Sequence, residues 1–201
     1  MQLSSDIFSF FKKLEKNNNR EWFEQHKPEF KALETTVKQF GEALKDQLNQ
    51  HDSIDRFKLF RVYRDVRFSK DKTPYKIHFG LTWHRTKPEY RGGYYLHLKP
   101  HDICLPCGFW DPNPADLKRI RQEIDMDADE YRNIINEPNF KRIWGKLQGD
   151  AVKTAPKGYA KDHPNIDLLR HKQHIFMVRY TEEDVAAADF LDRLDTALQA
   201  V

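Results

Sequence analysis

The spacing of hydrophobic residues along this chain changes character twice. After Ser4-Ser5-Asp6, Ile7, Phe8, Phe11 and Leu14 fall at helical intervals, and Asn17-Asn18-Asn19 stops the run. The next stretch, "NREWFEQH", reads as a short helix capped by Asn19 with Trp22 and Phe23 buried. Pro28 then suits the first turn of a following helix, where its missing N–H costs nothing. Phe30, Leu33, Val37, Phe40, Leu44 and Leu48 step by threes and fours, so that helix is expected to run to about Asn49, weakened but not ended by Gly41.

Beyond Asp55 the period becomes two. Phe60, Val62, Val66 and Phe68 are expected on one face of a strand, and Leu59, Arg61, Tyr63, Asp65 and Arg67 on the other. "SKDKTP" interrupts the pattern. Tyr75, Ile77, Phe79, Leu81 and Trp83 then alternate with Lys76, His78, Gly80, Thr82 and His84, a half-buried strand. Tyr94, Leu96 and Leu98 alternate with Tyr95 and His97, and "HDICLPCGFW" and "QHIFMVRY" read as further strands. Short connections favour antiparallel pairing.

Helical spacing returns in "NPADLKRIRQEID", "DADEYRNIINE" and "NFKRIWGKL", in a brief helix after His163, and in a closing helix capped by Thr181. The class is therefore α+β: a central, mostly antiparallel sheet flanked by N-terminal and C-terminal helices. No repeat or low-complexity linker divides residues 1–201, so a single domain is expected.

Composition sharpens this picture at one place. Hydrophobic residues make up only 39% of the chain, but aromatics reach 13%, enough large rings to close a core. Between Arg56 and Lys76 stand eight Lys or Arg against two Asp, a local net charge of +6 in a chain of net charge +3. The remainder is thus net negative, and the positive field is concentrated in one segment. No apolar run approaches the roughly 20 residues of a membrane span, and the N-terminus lacks the basic start and cleavage site of a signal peptide. Two cysteines imply no disulfide framework. A cytoplasmic protein without a membrane partner is expected.

On the alternation above, Arg64 would sit on the apolar side of its strand between Val62 and Val66. A guanidinium there needs a carboxylate such as Asp65 or Asp71, or a ligand. Arg61, Arg64, Arg67, Lys70, Lys72 and Lys76 form the candidate anion-binding set. Tyr63, Asp65, Tyr75, His78, His84, Tyr95 and His97 would line the groove. Such an inventory suits phosphate or carboxylate oxygens, and a phenol could stack on a base or sugar.

Sharper motifs fail on geometry. Ser69 and Lys72 have the spacing of a Ser-x-x-Lys acyl enzyme, but that needs a helix and Pro74 disfavours one. His97, His101, Cys104 and Cys107 have metal-like gaps, yet the region alternates like strand, so no metal site is expected.

"NNNREWFEQHK", "YRDVRFSKDKTPYKIHFG", "GGYYLHL", "APKGYAKDHP" and "LLRHKQHIF" together resemble the bacterial family catalogued as domain of unknown function 2461, over nearly the whole chain. The resemblance implies one domain in a soluble cytoplasmic protein. It brings no activity, cofactor or catalytic residue, and the two cysteines and His101 lie outside its motifs. Three readings stay open: a binder of an anionic small molecule or nucleic acid, a hydrolase or transferase using His78, His84 or His97 in the same groove, or an interaction protein whose basic block is an internal Arg–Asp network.

Overall fold

The computed structural model describes residues 1–201. Its elements run α1 (Asp6–Lys16), α2 (Arg20–Leu48), β1 (Ile54–Leu59), β2 (Phe79–Arg85), β3 (Gly93–Lys99), β4 (Asp102–Phe109), α3 (Pro114–Met126), α4 (Ala128–Asn136), α5 (Pro138–Trp144), α6 (Ile166–Leu169), β5 (His174–Tyr180), α7 (Glu182–Ala186) and α8 (Phe190–Gln199). The strands form one antiparallel sheet in the order β1-β2-β3-β4-β5, with helices at both chain ends, so the class is α+β. No helix is long and apolar enough to cross a membrane.

The helical start of the chain departs from expectation at Pro28. The Asn19 side chain accepts a hydrogen bond from the Trp22 N–H at 2.9 Å, and α2 then continues for 29 residues through Pro28. Proline removes one backbone bond inside a helix. Phe23 and Phe30, on either side, are both buried, and that burial offsets the loss. At the other end, Thr181 caps as expected, in a reciprocal box with Asp184. The closing helix is two helices, because Ala187 turns to extended backbone between α7 and α8.

The strands also differ from expectation at one place. β1 ends at Leu59 and β2 begins at Phe79, so residues 60–78 are not strand. Leu59 pairs with buried Leu81, while Phe60 belongs to the opposite face with Lys58. Phe68, expected beside Val62, stands 95% exposed. The turns built around Asp65 and Asp71 carry the chain away from the sheet before a second alternation can pair.

The chain packs as two compact units. One comprises Met1–Leu105 with Arg179–Gln199. Its core is aromatic: Phe11 and Phe30 both meet Phe79, at 4.9 and 5.6 Å between centroids. Trp83 is buried, and its indole N–H donates to the Gly41 carbonyl of α2 at 2.9 Å. Any larger residue there would force a shift, since a Cβ would lie 2.1 Å from the Phe57 ring that packs against the helix. The other unit comprises Pro106–Val178 and the last two residues. Ile124, Ala128, Leu168 and Leu169 form its core, and Phe140 meets Phe176 edge to face at 4.8 Å.

Candidate functional site

The basic stretch folds as a long loop clamped at two levels. At its base Tyr63 and Tyr75 form an isolated antiparallel bridge, extended by Arg64 N–H to the Pro74 carbonyl (2.9 Å) and Lys76 N–H to the Val62 carbonyl (2.7 Å). Asn18 then holds Tyr75 as a neighbouring strand would. Its Nδ2 donates to the Tyr75 carbonyl at 2.9 Å, and its Oδ1 accepts from the Tyr75 N–H at 3.1 Å. The Tyr75 ring is buried, stacked 4.0 Å from Phe23 of α2.

Nearer the tip, Arg64 closes a clasp inside the chain. Its Nη1 donates to Asp71 at 2.5 Å, to the Thr73 carbonyl at 3.1 Å and to the Thr73 hydroxyl. The Thr73 backbone N–H, its hydroxyl and the Arg64 guanidinium together push the Asp71 carboxyl down to about 2. Arg67 grips Asp65 with two bonds, at 3.0 and 2.7 Å, and Lys72 donates to the Val66 carbonyl at 2.9 Å. Arg64, Arg67 and Lys72, all in the expected anion set, are thus engaged by the loop itself. Lys70 is exposed.

A cavity of about 310 Å³ opens against this loop, lined by Arg20, Glu24, Tyr63, Arg64, Val66, Pro74 and Tyr75. Arg20 and Glu24 come from the first turns of α2 and were not foreseen. Their one sequence signal was the four-residue spacing after the Asn19 cap, which places them on one helix face.

The remaining expected residues gather on the polar face of the sheet. Register sets Gly80 opposite His97, Thr82 opposite Tyr95 and Lys58, and His84 opposite Arg56. Cross-strand partners share a face, so these side chains lie on the side away from buried Leu81, Trp83, Leu96 and Leu98. One more ladder bond, Phe60 N–H to the Gly80 carbonyl at 2.9 Å, brings the Phe60 ring onto the same face. Tyr95 leans over Gly80, where any Cβ would meet its hydroxyl at 2.4 Å, and its ring lies 6.2 Å from Phe60. His78 and His97 rings are 4.4 Å apart, with the Tyr95 hydroxyl 3.4 Å from His97 Nδ1.

Around Phe60 the charges are of one sign. Lys58 Nζ is 5.0 Å and Lys76 Nζ 5.5 Å from the ring centroid. Burial pulls the Lys76 ammonium below the usual lysine range, and the nearby Arg61 and Lys58 lower it further. Lys58, Arg61 and Lys76 form no ion pair. The carboxylate that feels Arg61 is Asp65, which Arg67 already holds. Lys58, outside the expected set, belongs to this group because it shares the face of Phe60, which the alternation assigns to the apolar side and the pairing with β2 turns to the polar one.

The imidazoles are kept neutral. Burial, followed by His97 and Lys76, pushes His78 down to about 4. Burial lowers His97, opposed by Asp102 4.0 Å away, and burial followed by Arg56 lowers His84. Burial pushes the Tyr95 phenol up to about 12. At neutral pH the face therefore presents lysine and arginine charge around Phe60, imidazole and phenol as uncharged hydrogen-bonding groups, and beside His97 the Asp102 carboxylate, which Arg179 holds at 2.9 Å. The expected set thus divides: His84, Tyr95 and His97 on the sheet, Arg61, Lys76 and His78 where the loop leaves and rejoins it, and Tyr63, Arg64, Asp65, Arg67, Lys70, Lys72 and Tyr75 farther along the loop.

Residues 6–201 match the family model described as a conserved hypothetical protein, domain of unknown function 2461, and the chain belongs to that family. No curated protein and no solved structure gives a significant match.

Proposed function

Taking membership of that family as the premise, we propose that the polar face of the sheet binds a phosphate-bearing anion. The observation that carries this is Lys58 and Lys76 set over one Phe60 ring, with Arg61 near enough to disfavour the Lys76 charge; none of the three has an ion pair, and burial disfavours the Lys76 charge first. Like charges held together without a counter-ion are costly, and an anion with several oxygens relieves that cost. Phe60, Tyr95 and the His78–His97 pair supply the apolar and uncharged polar walls such a ligand needs.

A hydrogen bond to a charged group contributes about 1.5–3 kcal/mol, so removal of Lys76 should weaken the complex roughly ten- to a hundredfold. The test is calorimetric titration with pyrophosphate and with a nucleoside diphosphate, on the wild type and on Lys76→Ala, Arg61→Ala and Lys58→Ala. The reading predicts that all three substitutions weaken binding. Absence of binding to every phosphate probe at millimolar concentration, or indifference to the three substitutions, would overturn it.

A second reading, a hydrolase or transferase acting in the same groove, is favoured by the adjacent neutral imidazoles. A neutral His78 or His97 can accept a proton at pH 7, with the cations stabilising developing negative charge. It predicts that His78→Ala retains anion binding and loses turnover. The loop's Arg64–Asp71 and Arg67–Asp65 pairs support an ordering role for the internal network, compatible with either reading.

A further inference from the structure

We infer that the anion is a single-stranded nucleic acid, and that Phe68 is a stacking platform for one of its bases. This rests on the anion-binding reading above and names its ligand. The starting point is an ordered loop that buries nothing at its tip. Arg64, Asp71 and Thr73 clasp one another, Lys72 closes on the Val66 carbonyl, and Arg67 is locked to Asp65. Yet Phe68, in the middle of this arrangement, is 95% exposed, the highest value among the large apolar side chains left at the surface. The hydrogen bonds order the backbone on both sides of the ring without covering it. That is preorganisation for a partner that supplies the missing contact.

The surroundings of the ring select the partner. The Arg67 guanidinium lies 5.8 Å from the Phe68 ring, and Lys70 beside it is exposed. The same loop carries Arg61 and Lys76 at its base, next to Phe60 on the sheet face. One segment therefore offers an exposed ammonium, Lys70, near a bare ring at its tip, and unpaired cations beside a second ring at its base. A compact phosphate compound seated at the sheet leaves Phe68 without a role. A flexible polyanion with flat π-faces at intervals uses both ends, and an unpaired strand is such a ligand. A duplex conceals its base faces. An anionic membrane fits less well, because the tip exposes a single large apolar side chain, with Ser69, Asp65 and Asp71 close to it in sequence.

The test is fluorescence anisotropy with a labelled single strand of about 16 nucleotides, the upper site size for comparable grooves. Stacking at alanine-substitution strength predicts that Phe68→Ala weakens binding roughly tenfold or more while leaving the salt dependence unchanged. Phe68→Trp should bind as well as the wild type, and Phe68→Leu as poorly as alanine, since leucine keeps the apolar area but has no π-face. Arg61→Ala and Lys76→Ala should each flatten the plot of log K against log salt by roughly 0.7.

Pyrophosphate binding at the sheet face without oligonucleotide binding would overturn the inference and leave the anion site standing. Failure of both probes would remove both readings. Equal affinity for the duplex, or a Phe68→Leu variant as tight as the wild type, would refute stacking. Phe68-dependent binding to phosphatidylserine vesicles without oligonucleotide binding would assign the tip to membranes instead, and polyglutamate competing as well as the oligonucleotide would assign it to acidic peptides.

Discussion

Gly41→Ala is the substitution whose outcome the packing of the site's scaffold decides. Alanine is favoured over glycine in a helix interior by about 1 kcal/mol, so helix propensity alone predicts stabilisation. Here the new Cβ would stand 2.1, 2.3 and 2.9 Å from three atoms of the Phe57 ring. Either the ring or the helix must retreat. Phe57 lies 5.5 Å from Trp83, whose indole N–H donates to the carbonyl of Gly41 itself, so a shifting helix also strains a buried hydrogen bond. Overpacking costs about 1–3 kcal/mol, and a buried donor left unpaired costs a further 1–3. Less the propensity gain, the net is a destabilisation of about 1–5 kcal/mol. At this chain length each kcal/mol is roughly 2–4 °C in Tm. Urea and thermal unfolding followed by circular dichroism measure it, and Phe57→Ala in the Gly41→Ala background should recover part of the loss. Because Phe57 immediately precedes Lys58, the variant should also weaken anion binding. A Gly41→Ala protein as stable as the wild type, or more so, would refute the close approach of helix and ring.

Other consequences can be measured separately. Asn18→Ala should lower stability by about 1–3 kcal/mol, because it removes both hydrogen bonds to the Tyr75 backbone, and Asn18→Asp should recover only part, since it keeps the acceptor alone. The Asp71 carboxyl is held at about 2, below its ordinary 3.8, so the clasp's contribution is fully present above pH 4 and is lost as pH falls toward 2. Hydrogen exchange across residues 64–73 should therefore be unchanged from pH 7 to 5 in the wild type after correction for intrinsic rates, and faster throughout in Arg64→Ala. Burial first, and then neighbouring His97 and Lys76, hold His78 at about 4, and an anion at the sheet face raises its affinity for protons by offsetting the second cause. Binding should then take up protons and tighten as pH falls toward 4, as calorimetry in buffers of different ionisation enthalpy would detect. His78→Gln should lessen that dependence.

Much of the architecture was written in short-range pattern. The stripe from Phe30 to Leu48, the alternation of Tyr94 to Leu98, and the caps at Asn19 and Thr181 all depend on residues within a turn or two of one another. The density of cation between Arg56 and Lys76 and its interleaved rings were equally plain, as was family membership from the motifs along the chain. The misreadings share a cause. A helix boundary at Pro28 and a strand through Phe68 followed from local propensity, but burial of Phe23 and Phe30 on both sides of the proline outweighed the first. Turns built by Asp65 and Asp71 outweighed the second.

What the tertiary structure alone decided is which charges are left over. Sequence placed eight cations in one segment and could not divide them, because an ion pair depends on where folding brings a carboxylate. Arg64 met Asp71 and Arg67 met Asp65, so those charges were neutralised within the loop. Lys58 on the sheet and Arg61 and Lys76 at the base of the loop were brought near one another without such a partner, and Arg20 and Glu24 came to the loop from a helix about forty residues earlier in the chain. Hydrophobic period is a property of neighbours along the chain, whereas residual charge is a property of neighbours in space, and only the second can define a binding site.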